Sequence, residues 1–99
     1  MRFEWDEAKN LSNQRKHGVS FEEATAVFLD PWHVSVEDRI EDEESRWQTL
    51  GFVEGLLLLL VAHTVREERE GGAPIEVIRI ISARRATRTE RRRYEDENS

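Results

Sequence analysis

The chain begins with a pattern typical of a short strand followed by a helix. In RFEW, at positions 2–5, the two aromatic residues alternate with charged ones, as in a strand with one buried face. Residues 6–17 favour a helix, because Asp6 is suited to cap its first turn and Gly18 to end it. Leu11 marks the apolar side of this helix, so we expect that side to pack on the rest of the protein.

A second helix is predicted to begin at Ser20. The sequence SFEE is a capping box, in which Ser20 caps the helix and Glu23 lies three residues further on. Apolar residues recur at helical spacing as far as Phe28. The pair Asp30-Pro31 then ends the helix, because a proline disfavours helical backbone in the residue before it.

The rest of the chain favours strands. They are expected at residues 32–38, 46–53, 56–65 and 75–82. The third of these, LLLLLVAHTV, is apolar on both faces and is therefore expected at the centre of the sheet. Glu54-Gly55 is a predicted hairpin turn. The acidic segment 41–44 and the segment 67–74 are predicted to be loops.

A last helix is expected over about residues 88–96, because Thr87 and Glu90 form another capping box. The 99 residues fit one domain, 1–99. Helices that precede a run of strands are typical of an α+β fold. We therefore predict N-terminal helices packed on one face of a four-stranded, mostly antiparallel sheet, with a C-terminal helix.

The composition removes several function classes. The chain has no cysteine, so disulfides and thiolate metal sites are excluded. Its three histidines lack the spacing of metal ligands, and neither a metal ion nor another cofactor is expected. The charged start is unlike a signal peptide, and the apolar run at 56–62 is too short to span a bilayer. We expect a soluble, cytoplasmic protein.

Charge is distributed unevenly along the chain, whose formal net charge is −6. Residues 79–93 contain seven arginines and one acidic residue, whereas residues 37–44 contain six acidic residues and one arginine. Two solvated surfaces of opposite charge would explain both runs. The alternative is an anion-binding site near the C-terminus and a separate acidic surface.

Three arginines at the last strand are candidates for binding phosphate. Arg79 lies within the strand, where it either reaches solvent or pairs with an acidic residue. Arg84 and Arg85 come just before the helix cap, where free backbone N–H groups add positive charge. They would form a strong phosphate site there. Alternatively, they are solvated or pair with the acidic segment 41–44.

His63 is a candidate for proton transfer, because histidine gains or loses a proton near neutral pH. A hydrogen-bonded structural role is the simpler interpretation of a single histidine in a strand. Lys16 and His17 close the first helix, where cations interact favourably with the helix dipole. The residues alone thus indicate a small sheet protein with affinity for a polyanion, of which RNA or DNA is the commonest.

Four stretches carry a resemblance to a known family. They are FEWDEAKNLSNQRKHGVSFEEATAVFLDP, ESRW, LLLLLVAHT and IRIISARRATRTERRRYE. In this order they resemble the BrnT toxins, ribonucleases of bacterial type II toxin–antitoxin pairs. The resemblance extends from Phe3 to Glu95, and RKHGVSFEEA and RIISARRA are specific when they occur together.

The resemblance implies a RelE-like fold and a ribonuclease that inhibits translation by cleaving RNA. It also implies a BrnA-like antitoxin that neutralises the toxin and forms a heterotetramer with it. That antitoxin would bind operator DNA through a ribbon-helix-helix part, so the toxin would contact DNA only through the antitoxin.

Metal-free RNA cleavage needs a base for the 2′-hydroxyl proton, positive charge for the pentavalent phosphorane and an acid for the leaving 5′-oxygen. Arginine suits the second role, because its planar fork matches phosphate oxygens and keeps its charge. Histidine is the candidate for proton transfer, with a glutamate as second candidate base. The predicted catalytic residues are Arg79, Arg84, Arg85, Arg46, His63 and Glu37, and the predicted RNA contacts are Lys16, His17 and Arg88.

Two other functions compete with this interpretation. A non-catalytic module that binds RNA or a protein would use the same arginines, since no catalytic constellation is unmistakable. A DNA-binding regulator is disfavoured, because there is no helix-turn-helix with a basic recognition helix and the net charge opposes DNA affinity. The acidic segment 37–44 is either a solvated loop, a surface for a basic part of the antitoxin, or a region that repels misplaced RNA.

Overall fold

The computed structural model describes residues 1–99 and contains three α-helices and a five-stranded mixed sheet. In chain order the elements are β1 (Arg2–Glu4), α1 (Glu7–His17), α2 (Phe21–Ala24), a 3₁₀ helix (Thr25–Leu29), β2 (Val34–Glu41), β3 (Glu44–Val53), β4 (Leu57–Glu70), β5 (Ala73–Arg85) and α3 (Arg88–Glu97). The strand order is β1-β5-β4-β3-β2. Neighbouring strands are antiparallel, except that β1 runs parallel to β5. None of the helices has the length and apolar character needed to cross a membrane.

The predicted α+β fold is confirmed, but the sheet has five strands rather than four. The short strand β1 lies beside β5, with Phe3 in register with Ile78. Its aromatic side, Phe3 and Trp5, packs against the core, as the alternation predicts. Three residues are too few for the sequence to indicate a sheet partner, so this edge of the sheet is set by tertiary packing.

The helix ends agree with the capping signals of the sequence. Asp6 accepts a hydrogen bond from the Lys9 N–H at 3.2 Å, and Gly18 ends α1 in the left-handed region at a φ of 70°. The reciprocal capping boxes predicted from SFEE and TRTE are both present. These local signals fix where each helix starts, and tertiary contacts decide which side of it is buried.

The buried side of α1 is polar, so the prediction that Leu11 marks it is wrong. Leu11 is 49% exposed, whereas Asn10 and Asn13 are buried. Asn13 Nδ2 donates to the backbone oxygens of Val19 and Ala83, and its Oδ1 accepts from the Ala83 N–H. Asn10 accepts a hydrogen bond from the first turn of α2. Hydrogen bonds therefore tie α1 to the sheet, and buried amides that are paired in this way are well tolerated.

The central strand β4 separates two apolar cores, as its sequence predicts. Leu59 and Val61 pack against α2 and the 3₁₀ helix, whereas Leu58 and Leu60 pack with Tyr94 of α3 on the other face. Successive residues of a strand point to opposite faces, so one apolar run serves both cores. The N-terminal helices cover one face, as predicted, and α3, whose position the sequence left open, lies across one end of the second face.

Both segments predicted to be loops are parts of hairpins. Within 41–44 only Asp42-Glu43 forms the turn, and within 67–74 only Gly71-Gly72 does. Both residues of each turn have positive φ, as tight hairpin turns require. Strands that project from a sheet meet solvent on both faces, so they lack the apolar alternation that distinguishes a strand from a loop.

Candidate functional site

Beyond the end covered by α3, the second face of the sheet carries no helix, and we call this area the open face. A row of five residues crosses it, one from each strand. The register pairs Arg39 with Arg46, Arg46 with Thr64, Thr64 with Arg79, and Arg79 with Glu4. Residues directly opposite one another on paired strands point to the same face. We call these five residues the central row.

The middle of the central row contains two buried polar atoms that have no hydrogen-bond partner, Arg46 Nε and Thr64 Oγ1. Thr64 is only 3% exposed, and it stands between two much longer side chains. Buried polar groups are nearly always hydrogen-bonded, so unpaired ones need a specific explanation. Two unpaired groups on neighbouring strands, in a row rich in arginine, make the central row the candidate anion site of this chain.

Arg79 is held in the row by Glu4. Its Nη1 donates to Glu4 Oε2 at 3.2 Å, and its side chain is 42% exposed. Arg66 binds both oxygens of the same carboxylate at 2.8 Å, and hydrogen bonds from Arg66 hold the pKa of Glu4 at about 2. Both alternatives left by the sequence therefore hold, because Arg79 reaches solvent and also pairs with an acidic residue. A single hydrogen bond leaves most of its N–H donors available.

Arg84 lies on the same face as Arg79, but its guanidinium is already paired with a residue of α3. Its guanidinium donates to both oxygens of Glu90, at 2.8 and 2.9 Å, and this holds the pKa of Glu90 at about 2. Residues five apart in a strand normally face opposite sides, and a β-bulge in β5 restores a common face here. Arg85 is in register with Leu59 and points to the opposite face.

His63 lies on the helix-covered face, away from the central row. It is 2% exposed, its Nε2 is 2.7 Å from Thr49 Oγ1, and its ring lies against Phe28. Burial lowers the pKa of His63, which favours the neutral ring. These contacts agree with the structural interpretation of this histidine. Glu37 is exposed and in register with Trp47, which in turn is opposite His63, so it shares that face.

The three predicted RNA contacts lie outside the central row. Lys16 and His17 end α1 on the helix-covered side, and Arg88 is exposed in the first turn of α3. Of the predicted residues, the structure thus brings together only Arg46 and Arg79. The sequence interpretation missed Arg39, Thr64 and Glu4, because membership of the row depends on strand register. The only local indication in the sequence was strand alternation. It places Arg46 and Gln48 on one face of β3, and Thr64 and Arg66 on one face of β4.

Replacing Thr64 by valine should stabilise the protein. Valine has nearly the same shape, and the change removes a buried hydroxyl that has no partner. We expect the free energy of unfolding to rise by about 1 kcal/mol, and the melting temperature by about 4–8 °C. Thermal and urea denaturation of wild type and Thr64→Val would measure both quantities.

Thr49→Val is the matched control. Thr49 is also buried in the sheet, but its hydroxyl bonds to His63 Nε2 and to Ser35 Oγ. The same substitution there leaves the buried His63 Nε2 without its partner and should destabilise the fold by about 1–3 kcal/mol. A loss of stability in Thr64→Val as large as in Thr49→Val would show that the Thr64 hydroxyl is satisfied within the protein.

The chain is similar to known proteins in sequence and in fold. A family model described as "Ribonuclease toxin, BrnT, of type II toxin-antitoxin system" matches residues 5–90. The chain is also similar to the crystal structure of the Brucella abortus ribonuclease toxin BrnT, with a TM-score of 0.59 and 25% sequence identity over 89% of this chain and 99% of that chain. The search of curated proteins gives no match. The matched residues 5–90 include all of the central row except Glu4.

Proposed function

The chain belongs to the BrnT family of ribonuclease toxins of type II toxin–antitoxin systems, and from that premise we propose that it cleaves RNA at the central row without a metal ion. The observation that carries this proposal is the adjacent pair of unpartnered buried atoms, Arg46 Nε and Thr64 Oγ1, in register with Arg79. The family indicates the reaction class, and the row is our proposed location for it on this chain.

The spacing of the row suits one phosphate group. Arg46 and Arg79 are separated by two strand spacings, about 9–10 Å between their backbones. Two arginine side chains can close such a gap from opposite sides and converge on a phosphate above Thr64. Each planar guanidinium can then donate two parallel hydrogen bonds to phosphate oxygens, which is a strong and directional contact.

The proposed reaction is an internal transfer at phosphorus. The ribose 2′-oxygen gives its proton to solvent water and attacks phosphorus, while the bond to the 5′-oxygen breaks and that oxygen takes a proton from water. The products are a 2′,3′-cyclic phosphate and a 5′-hydroxyl end. Negative charge builds up on the phosphoryl oxygens in between, and fixed cations aimed at those oxygens usually make a large contribution to the rate.

The proposal gives Glu4 a positioning role. A carboxylate with a pKa of about 2 is a weak base, so Glu4 is poorly matched to removing a hydroxyl proton near neutral pH. It instead orients Arg79 through the hydrogen bond at 3.2 Å. His63 and Glu37 project from the other face of the sheet, so the proposal assigns them no proton transfer at this phosphate.

We also propose a cellular effect for the cleavage and a partner protein for the toxin. The cleavage would inhibit translation in the cytoplasm, and the fold would be RelE-like. A BrnA-like antitoxin would neutralise the toxin in a heterotetramer and would provide the contact with operator DNA. The family description supports a partner antitoxin, and the net charge of −6 disfavours DNA binding by the toxin itself.

The chemistry of the cleaved ends tests the proposal. Purified protein should cleave RNA in the presence of EDTA and leave 5′-hydroxyl and 2′,3′-cyclic phosphate ends. If cleavage needs a ribosome, the same ends should appear on messenger RNA in a translating extract. Ends with a 5′-phosphate, or cleavage of free RNA that stops on addition of EDTA, would contradict the metal-free mechanism. No cleavage in either assay would favour the non-catalytic alternative.

A further inference from the structure

An apolar groove lies at the end of the molecule where the chain leaves the 3₁₀ helix and where β3 turns into β4. It has a volume of about 530 Å³, and a second depression of about 320 Å³ continues it along α3. We call the two together the end groove. Trp32 and Tyr94 line both parts. Leu29 and Trp32 are 83% and 63% exposed, and Leu56, which follows the lining residue Gly55, is 79% exposed.

Hydrogen bonds to one carboxylate hold the floor of the end groove together. Asp30 accepts hydrogen bonds from the Phe52 N–H at 2.8 Å, the Trp32 N–H at 2.9 Å and the Tyr94 hydroxyl at 2.6 Å. One carboxylate therefore joins the loop, β3 and α3. The rings of Phe52 and Tyr94 also meet edge to face. A site that is already ordered loses little conformational entropy when a partner binds, so its apolar area contributes more fully to affinity.

The charges around the end groove favour one kind of partner. Glu54 and Glu95 are exposed on its rim, and none of its lining residues is cationic. The nearest cation is Arg91 of α3, which stacks on the ring of Phe52 at 5.5 Å and leaves the two rim glutamates unpaired. RNA would be repelled by this rim. A second copy of the chain, related by a two-fold axis, would bring the same acidic rim against itself. A protein segment with apolar side chains flanked by lysine or arginine complements both the groove and its rim.

The end groove is separate from the central row. Phe52 and Arg46 are six residues apart on β3, which corresponds to about 20 Å. A partner anchored in the groove would thus leave Arg46 and Arg79 in place. It would block RNA only through parts that extend along the open face.

We propose that the end groove is the docking site of the antitoxin, which inserts an apolar side chain beside Trp32 and places basic side chains against Glu54 and Glu95. This inference rests on the proposed function in one respect, namely that the partner is an antitoxin. It adds the location and the chemistry of the contact. A large aromatic residue in the middle of a groove is the type of residue that dominates binding energy in protein interfaces.

Calorimetric titration of full-length toxin with its cognate antitoxin tests the docking site. Trp32→Ala should weaken binding by about 30-fold or more. The double variant Glu54→Lys/Glu95→Lys should slow association and reduce its dependence on salt. Ile40→Ala is the matched control, because Ile40 is 70% exposed but lies on β2 near the acidic hairpin turn. Wild-type affinity is expected for that control, and all variants should keep the wild-type melting temperature within a few degrees.

The outcomes separate docking from catalysis. We expect Trp32→Ala to keep its RNA cleavage and lose antitoxin affinity, and Arg46→Ala to show the reverse. Unchanged affinity in Trp32→Ala would overturn the docking site, as would a toxin that forms dimers through Trp32 and binds antitoxin elsewhere. If the wild type cleaves no RNA but Trp32→Ala still binds the antitoxin more weakly, the proposed catalytic function is wrong and the docking site is supported.

Discussion

Arg46→Ala and Arg79→Ala should each slow RNA cleavage by about 10²–10³-fold, the usual effect of removing one charge-stabilising donor from an active site. Both residues are partly buried on the open face, in register with the unpartnered hydroxyl of Thr64. Their contacts should form fully only as charge develops on the phosphate. We therefore expect kcat and kcat/KM to fall together, with little change in KM.

Three further arginine variants make this measurement specific. Arg46→Lys keeps the charge but loses the planar fork, so it should recover only part of the rate. Arg15→Ala removes an exposed arginine from α1 on the other side of the sheet and should cleave normally. Arg39 already pairs with Glu41 at 2.9 Å, so Arg39→Ala should have a smaller effect than Arg46→Ala. Wild-type rates in both Arg46→Ala and Arg79→Ala would remove the central row from the catalytic site.

The contrast between Arg79 and Arg84 shows which features of the candidate site can be predicted from the sequence. The sequence identifies a strand with arginines at its end, and both residues lie in or at the end of β5. Whether they share a face depends on the bulge in β5, which pairing with β4 reveals and the sequence does not. Whether their donors are free depends on Glu4 and Glu90, which contact them only in the folded protein.

For His63 the sequence predicts the face of the sheet but not the reactivity of the ring. Its position on the face of Leu59 and Val61 follows from alternation along β4, and the structure confirms this placement. Its reactivity does not follow from that pattern, because the same alternation fits an exposed general base and a buried hydrogen-bonded ring. Burial to 2% exposure and the bond to Thr49 distinguish the two, and both come from packing by the 3₁₀ helix and β3.

α1 shows why the local fold was predictable and its orientation was not. The caps Asp6 and Gly18 act within one turn of the chain, so their residue types suffice to place the helix ends. Asn13 meets Ala83 across 70 residues of sequence. A polar residue that hydrogen-bonds in the interior looks, in the sequence, the same as one that faces solvent. An apolar pattern therefore assigned the wrong side of the helix to the core.

Gly51→Val should strongly destabilise the sheet, with a loss of about 3 kcal/mol or more in the free energy of unfolding. A Cβ on Gly51 would lie 2.7 Å from Val27 Cγ1 and 2.8 Å from the backbone oxygen of Val27. Neither atom can move away easily. The side chain is β-branched and fully buried, and the oxygen belongs to the 3₁₀ helix that packs on β3.

Gly51→Ala introduces a smaller steric conflict at the same contact. The added methyl should cost about 1–3 kcal/mol through overpacking. Reduced freedom of the unfolded chain should offset about 0.4–1 kcal/mol of this. Urea denaturation would measure the difference, and the melting temperature should fall by about 4–8 °C for each kcal/mol lost.

A double-mutant cycle with Val27→Ala separates steric conflict from other effects of replacing glycine. Val27→Ala removes the atom at 2.7 Å but leaves the backbone oxygen at 2.8 Å. The double variant should therefore lose less stability than the sum of the two single variants, without returning to the wild-type value. Additive losses, or a stable Gly51→Ala, would mean that the 3₁₀ helix can move away from β3. Asp30, which follows this helix and holds the floor of the end groove, would then be less rigidly placed, and Gly51→Ala should also weaken antitoxin binding.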